Sequence, residues 1–296
     1  MRPHPDSWGV SRRGIELAFE IYHEPAAHLA LGGPPKARCG NLLPIEMSIR
    51  PLGFCLLTFT GAVLLQTSPA VAQGSSKENP ILALLGSGKA VFGAFSGEKT
   101  KENAAKLSGD NQLDFVFYDM ETGPFDVDGM RDFMAALGPR PIATRLPPIR
   151  EGSDEARGHA KRLLEAGVDV VVFPHVEDRA QAEIAVSSMR GGPRKTPGIL
   201  IIEDRIGVQN ARDIVSTPGA DIIFPGPGDL RRAYDGDTVA VEKAIQSVLS
   251  ACKEFSVVCG ITAGPSDIEK RLKEGFRVFI VTNLEALPIG RRAASR

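Results

Sequence analysis

The sequence is poor in the features that mark most specialised protein classes. Lysine plus arginine number 35 against 36 for aspartate plus glutamate, so neither sign dominates. That balance removes both the basic stripe that a phosphate backbone needs and the polybasic patch that a membrane surface needs, and no nucleic-acid partner is expected. The four cysteines include no CxxC and no Cys/His cluster of zinc spacing, which removes a zinc-ribbon or thioredoxin-like reading. No GxGxxG follows a strand-like run, so a dinucleotide site has no support. The largely apolar run from Leu52 to Leu65 has 14 residues, short of the roughly 20 a spanning helix needs. What remains, 43% hydrophobic and 24% charged, is the composition of a globular chain able to bury one sizeable core.

That apolar run belongs to an N-terminal stretch unlike the rest. Met47-Ser48-Ile49-Arg50 opens a short basic region, Leu52 to Leu65 follows, and Ala70-Val71-Ala72 supplies the small-x-small pattern of signal peptidase. Residues 47–72 therefore read as a cleaved secretory signal, predicting a mature periplasmic chain that starts near Gln73 with no stable membrane span; an unused signal leaves it cytoplasmic. Residues 1–46 carry no helical or strand period and read as a non-native or disordered extension, with Met47 the expected start. The alternative, a twin-arginine leader opening at Ser11-Arg12-Arg13, has its apolar run too far downstream. Past Gln73 two cysteines remain, Cys252 and Cys259, seven positions apart across a helix-to-strand turn. That spacing favours buried thiols and leaves pairing open in an oxidising compartment.

From Gln73 onward, short β-branched or aromatic runs alternate with longer segments of helical period, the pattern of parallel βα units. Eight runs qualify: Val91 to Phe95, Phe115 to Tyr118, Ile142 to Arg145, Val170 to Phe173, Ile199 to Ile202, Ile222 to Phe224, Val257 to Ile261 and Val278 to Val281. Between them, Met130, Phe133, Met134 and Leu137 fall at helical spacing before Gly138, and Ala156, Ala160, Leu163 and Leu164 before Gly167. Ser266-Asp267-Ile268-Glu269 has the spacing of a capping box, with Ile268 and Leu272 inward and Gly275 ending the helix. The predicted fold is a single (β/α)8 TIM barrel over residues 73–296, with an open doubly wound sheet as the alternative.

In such a barrel the chemistry collects at the C-terminal strand ends. The fifth run ends in Glu203, and the sixth leads through Pro225-Gly226-Pro227-Gly228 to Asp229. Neighbouring strands lie about 4.8 Å apart, so these carboxylates are candidate ligands of one divalent cation, Mg2+ or Mn2+, with Co2+ a further candidate. By themselves, carboxylates after strands also serve as helix caps or solvated loop residues.

Three segments carry a resemblance: Glu203-Asp204-Arg205-Ile206-Gly207-Val208-Gln209-Asn210, Pro218-Gly219-Ala220-Asp221, and Phe224-Pro225-Gly226-Pro227-Gly228-Asp229-Leu230. Together they resemble the HpcH/HpaI aldolase/citrate lyase family, whose strand-end glutamate and Gly-Pro-x-Asp-Leu aspartate bind the metal and map onto Glu203 and Asp229. The resemblance gives Arg145 the place of a third-strand arginine that contacts the substrate's oxo and enolate oxygen. It also matches Asp119-Met120-Glu121-Thr122-Gly123-Pro124 to a family Asp-x-Glu-His-x-Pro stretch, with Thr122 in place of a histidine implicated in proton transfer, and Glu165 in place of that histidine's acidic partner. A threonine hydroxyl is no base near neutral pH, so His175, after the fourth run, or a metal-bound water is a candidate replacement; a structural role for His175 stays open. A second departure lies between Met189 and Pro197, where seven residues replace a longer family segment that shapes the pocket. The tail after Val281 is short, whereas relatives use a final helix to pack on a neighbouring subunit; a homo-oligomer is left open.

The resemblance implies a carbon–carbon lyase acting on a 2-oxo acid and an aldehyde through a metal-bound pyruvate enolate, with the amides around Gly226, Pro227 and Gly228 holding the substrate carboxylate. Two alternatives fit Thr122: decarboxylation of an oxaloacetate-like acid, and an exported barrel that binds 2-oxo acids without turnover.

Overall fold

The computed structural model describes residues 78–190 and 195–295, so the expected extension (1–46) and signal segment (47–72) lie outside the described residues. Eight parallel strands, β1 (Val91–Phe95), β2 (Phe115–Asp119), β3 (Ile142–Arg145), β4 (Val170–Phe173), β5 (Gly198–Ile202), β6 (Ile222–Pro225), β7 (Val258–Ala263) and β8 (Val278–Val281), close into a barrel in chain order. The closing pair is β1 with β8, through Val91 opposite Val278 and three further positions, so no strand edge is left bare. The predicted (β/α)8 barrel is therefore what this chain forms. All eight runs fall on strands; the seventh shifts toward its C-terminus because Thr262 and Ala263 pair with Ile280 and Val281.

Strand residues alternate between two cores. Phe115, Phe117, Val170, Val172, Ile199 and Ile201 fill the barrel interior, while Val116, Val171 and Leu200 pack beneath the helices. Burial on both faces is the reason the runs are apolar throughout rather than alternating.

The outer ring comprises α1 (Pro80–Gly86), α2 (Lys101–Ser108), α3 (Val127–Leu137), α4 (Ser153–Ala166), α5 (Arg179–Ser188), α6 (Arg205–Gln209), α7 (Ala211–Val215), α8 (Pro227–Ala233), α9 (Thr238–Glu254), α10 (Ile268–Glu274) and α11 (Ala286–Ala293). Helix α1 seals the N-terminal end of the barrel. Its Ile81 joins the interior core, and Asn79 caps it by accepting the Ile81 and Leu82 N–H groups while donating to the Asp169 carbonyl. The predicted capping box on α10 does not form. Asp267, not Ser266, is the N-cap, and its carboxylate turns back to accept the Gly264 N–H at 2.8 Å, which fixes the turn after β7. Helix α11 packs on α10 of its own barrel, with Gly290 seated against Phe92, where a Cβ would come within 2.6 Å of the ring. Among the described residues no helix is long and apolar enough to cross a membrane.

Candidate active site

Five consecutive strands, β2 to β6, deliver polar residues to one end of the barrel. Asp119 ends β2 and stands in register with Arg145 at the end of β3. Arg145 Nε donates to Asp119 Oδ1 at 2.8 Å and Nη2 to Oδ2 at 2.5 Å, while Nη1 reaches Glu121 Oε2 at 2.8 Å. Burial opposes Arg145's charge, but Asp119, Glu121 and Glu203 outweigh it and hold the guanidinium cationic. Burial likewise raises Asp119, but hydrogen bonds and charge from Arg145 override it, keeping the carboxyl below its ordinary range. The guanidinium face also lies over the Phe117 ring, which meets Phe95 edge-on at the mouth. Three sides of Arg145 are therefore fixed before any substrate arrives.

Strand β4 runs into Pro174 and then His175, whose backbone takes the left-handed φ of 48°. For a residue with a Cβ that conformation costs about 1–2 kcal/mol. The bend aims two groups of one residue into the site. The His175 N–H donates to Glu203 Oε1 at 3.1 Å, and Nε2 lies 3.1 Å from Glu121 Oε1 and 3.7 Å from Glu203 Oε1. On the other side Nδ1 faces Asp204 Oδ2 across 3.9 Å, longer than a hydrogen bond. Asp204 and Glu121 push the imidazole up to about 10.

Glu203 follows β5 and is buried. Burial first, then the charges of Asp229 and Glu121, push its carboxyl up to about 7, against the opposing pull of His175 and Arg145. It lies tight against β6: a Cβ on Gly226 would approach Glu203 Oε2 to 2.5 Å, and the Gly226 N–H bonds the Ile202 carbonyl at 3.1 Å. Glycine is required there by proximity alone. Pro227 and Gly228 open α8, which has no side-chain cap, so its first N–H groups face the mouth without a helical partner.

Ligand atoms of Glu121, His175 and Glu203 lie within 4.8 Å of one another. A buried glutamate raised toward neutral pH, with Glu121 and Asp229 beside it, is a set of oxygen donors with negative charge to spare, and a divalent cation fits it. Glu203 would hold such an ion with oxygens of Glu121 or Asp229 and, for a softer ion, His175.

The geometry sorts the predicted residues. Arg145, His175 and Glu203 converge. Asp229, in the first turn of α8, lies near enough for its charge to act on Glu203, but its carboxylate turns to Arg232 in the last turn of the same helix. Thr122 is exposed one residue past Glu121. Glu165 does not reach the site: it is exposed in the last turn of α4, 3.9 Å from Lys161. Because α4 runs antiparallel to the strands, its last turn lies at the N-terminal end of β4, away from the mouth. Asp119, Glu121 and Asp204 were not among the predicted site residues. All three sit within two residues of a strand end beside residues that were singled out, and that position was the available signal.

An acidic, cation-accepting mouth on a closed parallel barrel defines a class of (β/α)8 enzymes that work at carbonyl or carboxylate oxygens. Within that class the chain belongs to the HpcH/HpaI aldolase/citrate lyase family, whose profile matches residues 92–281. At family level it is a lyase. It is 26% identical over 238 residues to a hydroxypyruvate/pyruvate aldolase of Delftia acidovorans, covering 70% of this chain and 87% of that one. Among solved structures, an HpcH/HpaI family protein from Burkholderia cenocepacia superposes with a TM-score of 0.59 at 22% identity, covering 70% and 93% of the two chains. A Mycobacterium tuberculosis citrate lyase beta subunit, complexed with oxaloacetate and magnesium, gives a TM-score of 0.54 at 18% identity, covering 70% and 98%.

Proposed function

We propose that this protein cleaves, and in reverse forms, a carbon–carbon bond in small 2-oxo acids, with an aldehyde as the second product or acceptor and Mg2+ or Mn2+ as cofactor. One observation carries the reading: the buried Glu203 cluster stands beside a guanidinium that is locked in place and aimed at the same mouth. The Delftia relative's activity and the oxaloacetate and magnesium of the mycobacterial neighbour point to the same substrate class.

A bound cation supplies Lewis-acid stabilisation of negative charge on the 2-oxo oxygen. Arg145 donates to that oxygen from a rigid planar fork, so no reorganisation is needed as charge develops. The unpaired N–H groups at the start of α8 receive the substrate carboxylate. Phe95, exposed at the end of β1 and braced by Phe117 beneath it, gives the opening an apolar surface against which an aldehyde chain packs. Thr122 cannot hold the transferring proton; His175 Nε2, 3.7 Å from Glu203 and held cationic by Asp204 and Glu121, takes that role as the proton donor. Decarboxylation of an oxaloacetate-like acid through the same enolate is the second reading, favoured by Thr122 because it needs less help from a base.

Pyruvate enolisation separates these readings from simple binding. Proton NMR in D2O, with Mn2+ present during incubation and removed before detection, is expected to show cation-dependent loss of the methyl signal. Exchange should fall by roughly 10²-fold or more in Glu203→Gln and in His175→Ala. Pyruvate binding without exchange in the wild type would replace the lyase with a binding protein.

A further inference from the structure

Away from the mouth, the last turn of α9 and the start of β7 bring two sulfurs together. Cys252 Sγ and Cys259 Sγ are 2.6 Å apart, and both residues are buried. Two thiols at rest need about 3.5–4 Å, so the packing holds them inside ordinary contact distance. The turn between them is closed by its backbone: the Phe255 N–H donates to the Ala251 carbonyl, the Val257 N–H to the Cys252 carbonyl, and Ser256 takes a φ of 56° to reverse the chain. Next to Cys259 the barrel is thinnest. The β6–β7 register has only two positions, Ile222 opposite Val258 and Ile223 opposite Cys259, while every other strand pair has three or four. Helix α9 packs on both strands of that seam, and α8, which follows β6, carries Asp229.

We propose that Cys252 and Cys259 form an intramolecular disulfide that staples α9 to β7 across the β6–β7 seam. The oxidant is a small-molecule disulfide of the oxidised-glutathione type. One cysteine thiolate attacks it, forming a mixed disulfide and releasing one glutathione thiolate. The second cysteine thiolate then displaces the other. Two electrons pass to glutathione, the two protons lost by the protein end on its thiols, and one protein S–S bond remains. In the finished fold burial pushes the Cys259 thiol up and away from its reactive thiolate, so oxidation belongs to the folding chain, before β7 is covered.

Trypsin gives a direct test, because Lys253 separates the two cysteines into peptides 244–253 and 254–270. The full chain is refolded in a glutathione redox buffer, alkylated under denaturing conditions and digested without reduction. The expected product is the linked pair, two mass units below the sum of the free peptides and separated by dithiothreitol. The thermal midpoint of the folded protein should drop by roughly 5–10 °C on reduction, with no such drop in Cys252→Ala. Recovery of both peptides separately alkylated would overturn the proposal, as would a linkage of either one to Cys39 or Cys55.

Discussion

Glu203 is under two opposed demands: it is buried deeply enough to prefer a proton, and it is the group a cation must find ionised. Its folded value of about 7 stands above the unfolded 4.5, so it contributes stability that is full below about 4.5 and is lost as pH rises through about 7. His175, raised from 6.5 to about 10, adds a second decline between those values. In excess chelator the thermal midpoint should therefore fall steadily as pH rises from about 5 to 8. Saturating Mn2+ should offset most of that fall, and Glu203→Gln should flatten the chelator curve below pH 6.5, where His175 is charged in both states. An equally steep decline in the variant would locate the titration elsewhere. Glu203 was legible because it follows an unbroken apolar run. Glu121 was harder to read: it lies two residues past a strand, and only the folded register, Asp119 opposite Arg145, shows that its neighbours converge. Glu165 misled because a match along the chain says nothing about which end of a helix faces the mouth.

At the scale of elements, the approach of β6 to β5 decides how accurately the site is held. Gly226 leaves just enough space for the Glu203 side chain, and one added methyl must displace either the carboxylate or the β6 end. Gly226→Ala is expected to cost about 1–3 kcal/mol of stability and to weaken Mn2+ binding, because strain falls on the ligand itself. Thermal melts with and without Mn2+ would test this: an unchanged stabilisation by the ion would show that Glu203 absorbs the methyl freely. The strands were readable because double burial leaves apolar runs bounded by turns, and α3 and α4 because their inward faces keep a helical period. The start of α10 was not. Ser266 and Asp267 both offer a capping oxygen, and the choice went to the residue whose carboxylate reaches the Gly264 amide, a contact set by where β7 ends.

For the molecule as a whole, the barrel class followed from the number and spacing of the runs, and nothing in composition contradicted it. What composition could not disclose is the asymmetry of the rim, since the charged cluster occupies β2 to β6 while β7 and β8 serve to close the ring. The closure has a consequence for the chain as a line of residues. Gly88 and Ala90, leading into β1, border the same cavity as Ala293 to Ser295 at the end of α11, so the entry to the first strand and the last helix meet. Its order of strands is then a cycle, and where ribosomal synthesis begins on that cycle is a convention. A circular permutant that joins Ser295 to Asn79 through a Gly/Ser linker long enough to cross the N-terminal end of the barrel, where Asn79 bonds the Asp169 carbonyl ahead of β4, with new termini within residues 191–194, should keep the wild-type circular dichroism and cation-dependent pyruvate exchange within about tenfold. Loss of the fold in that permutant would mean that β1 must form first, and that the cycle has a beginning after all.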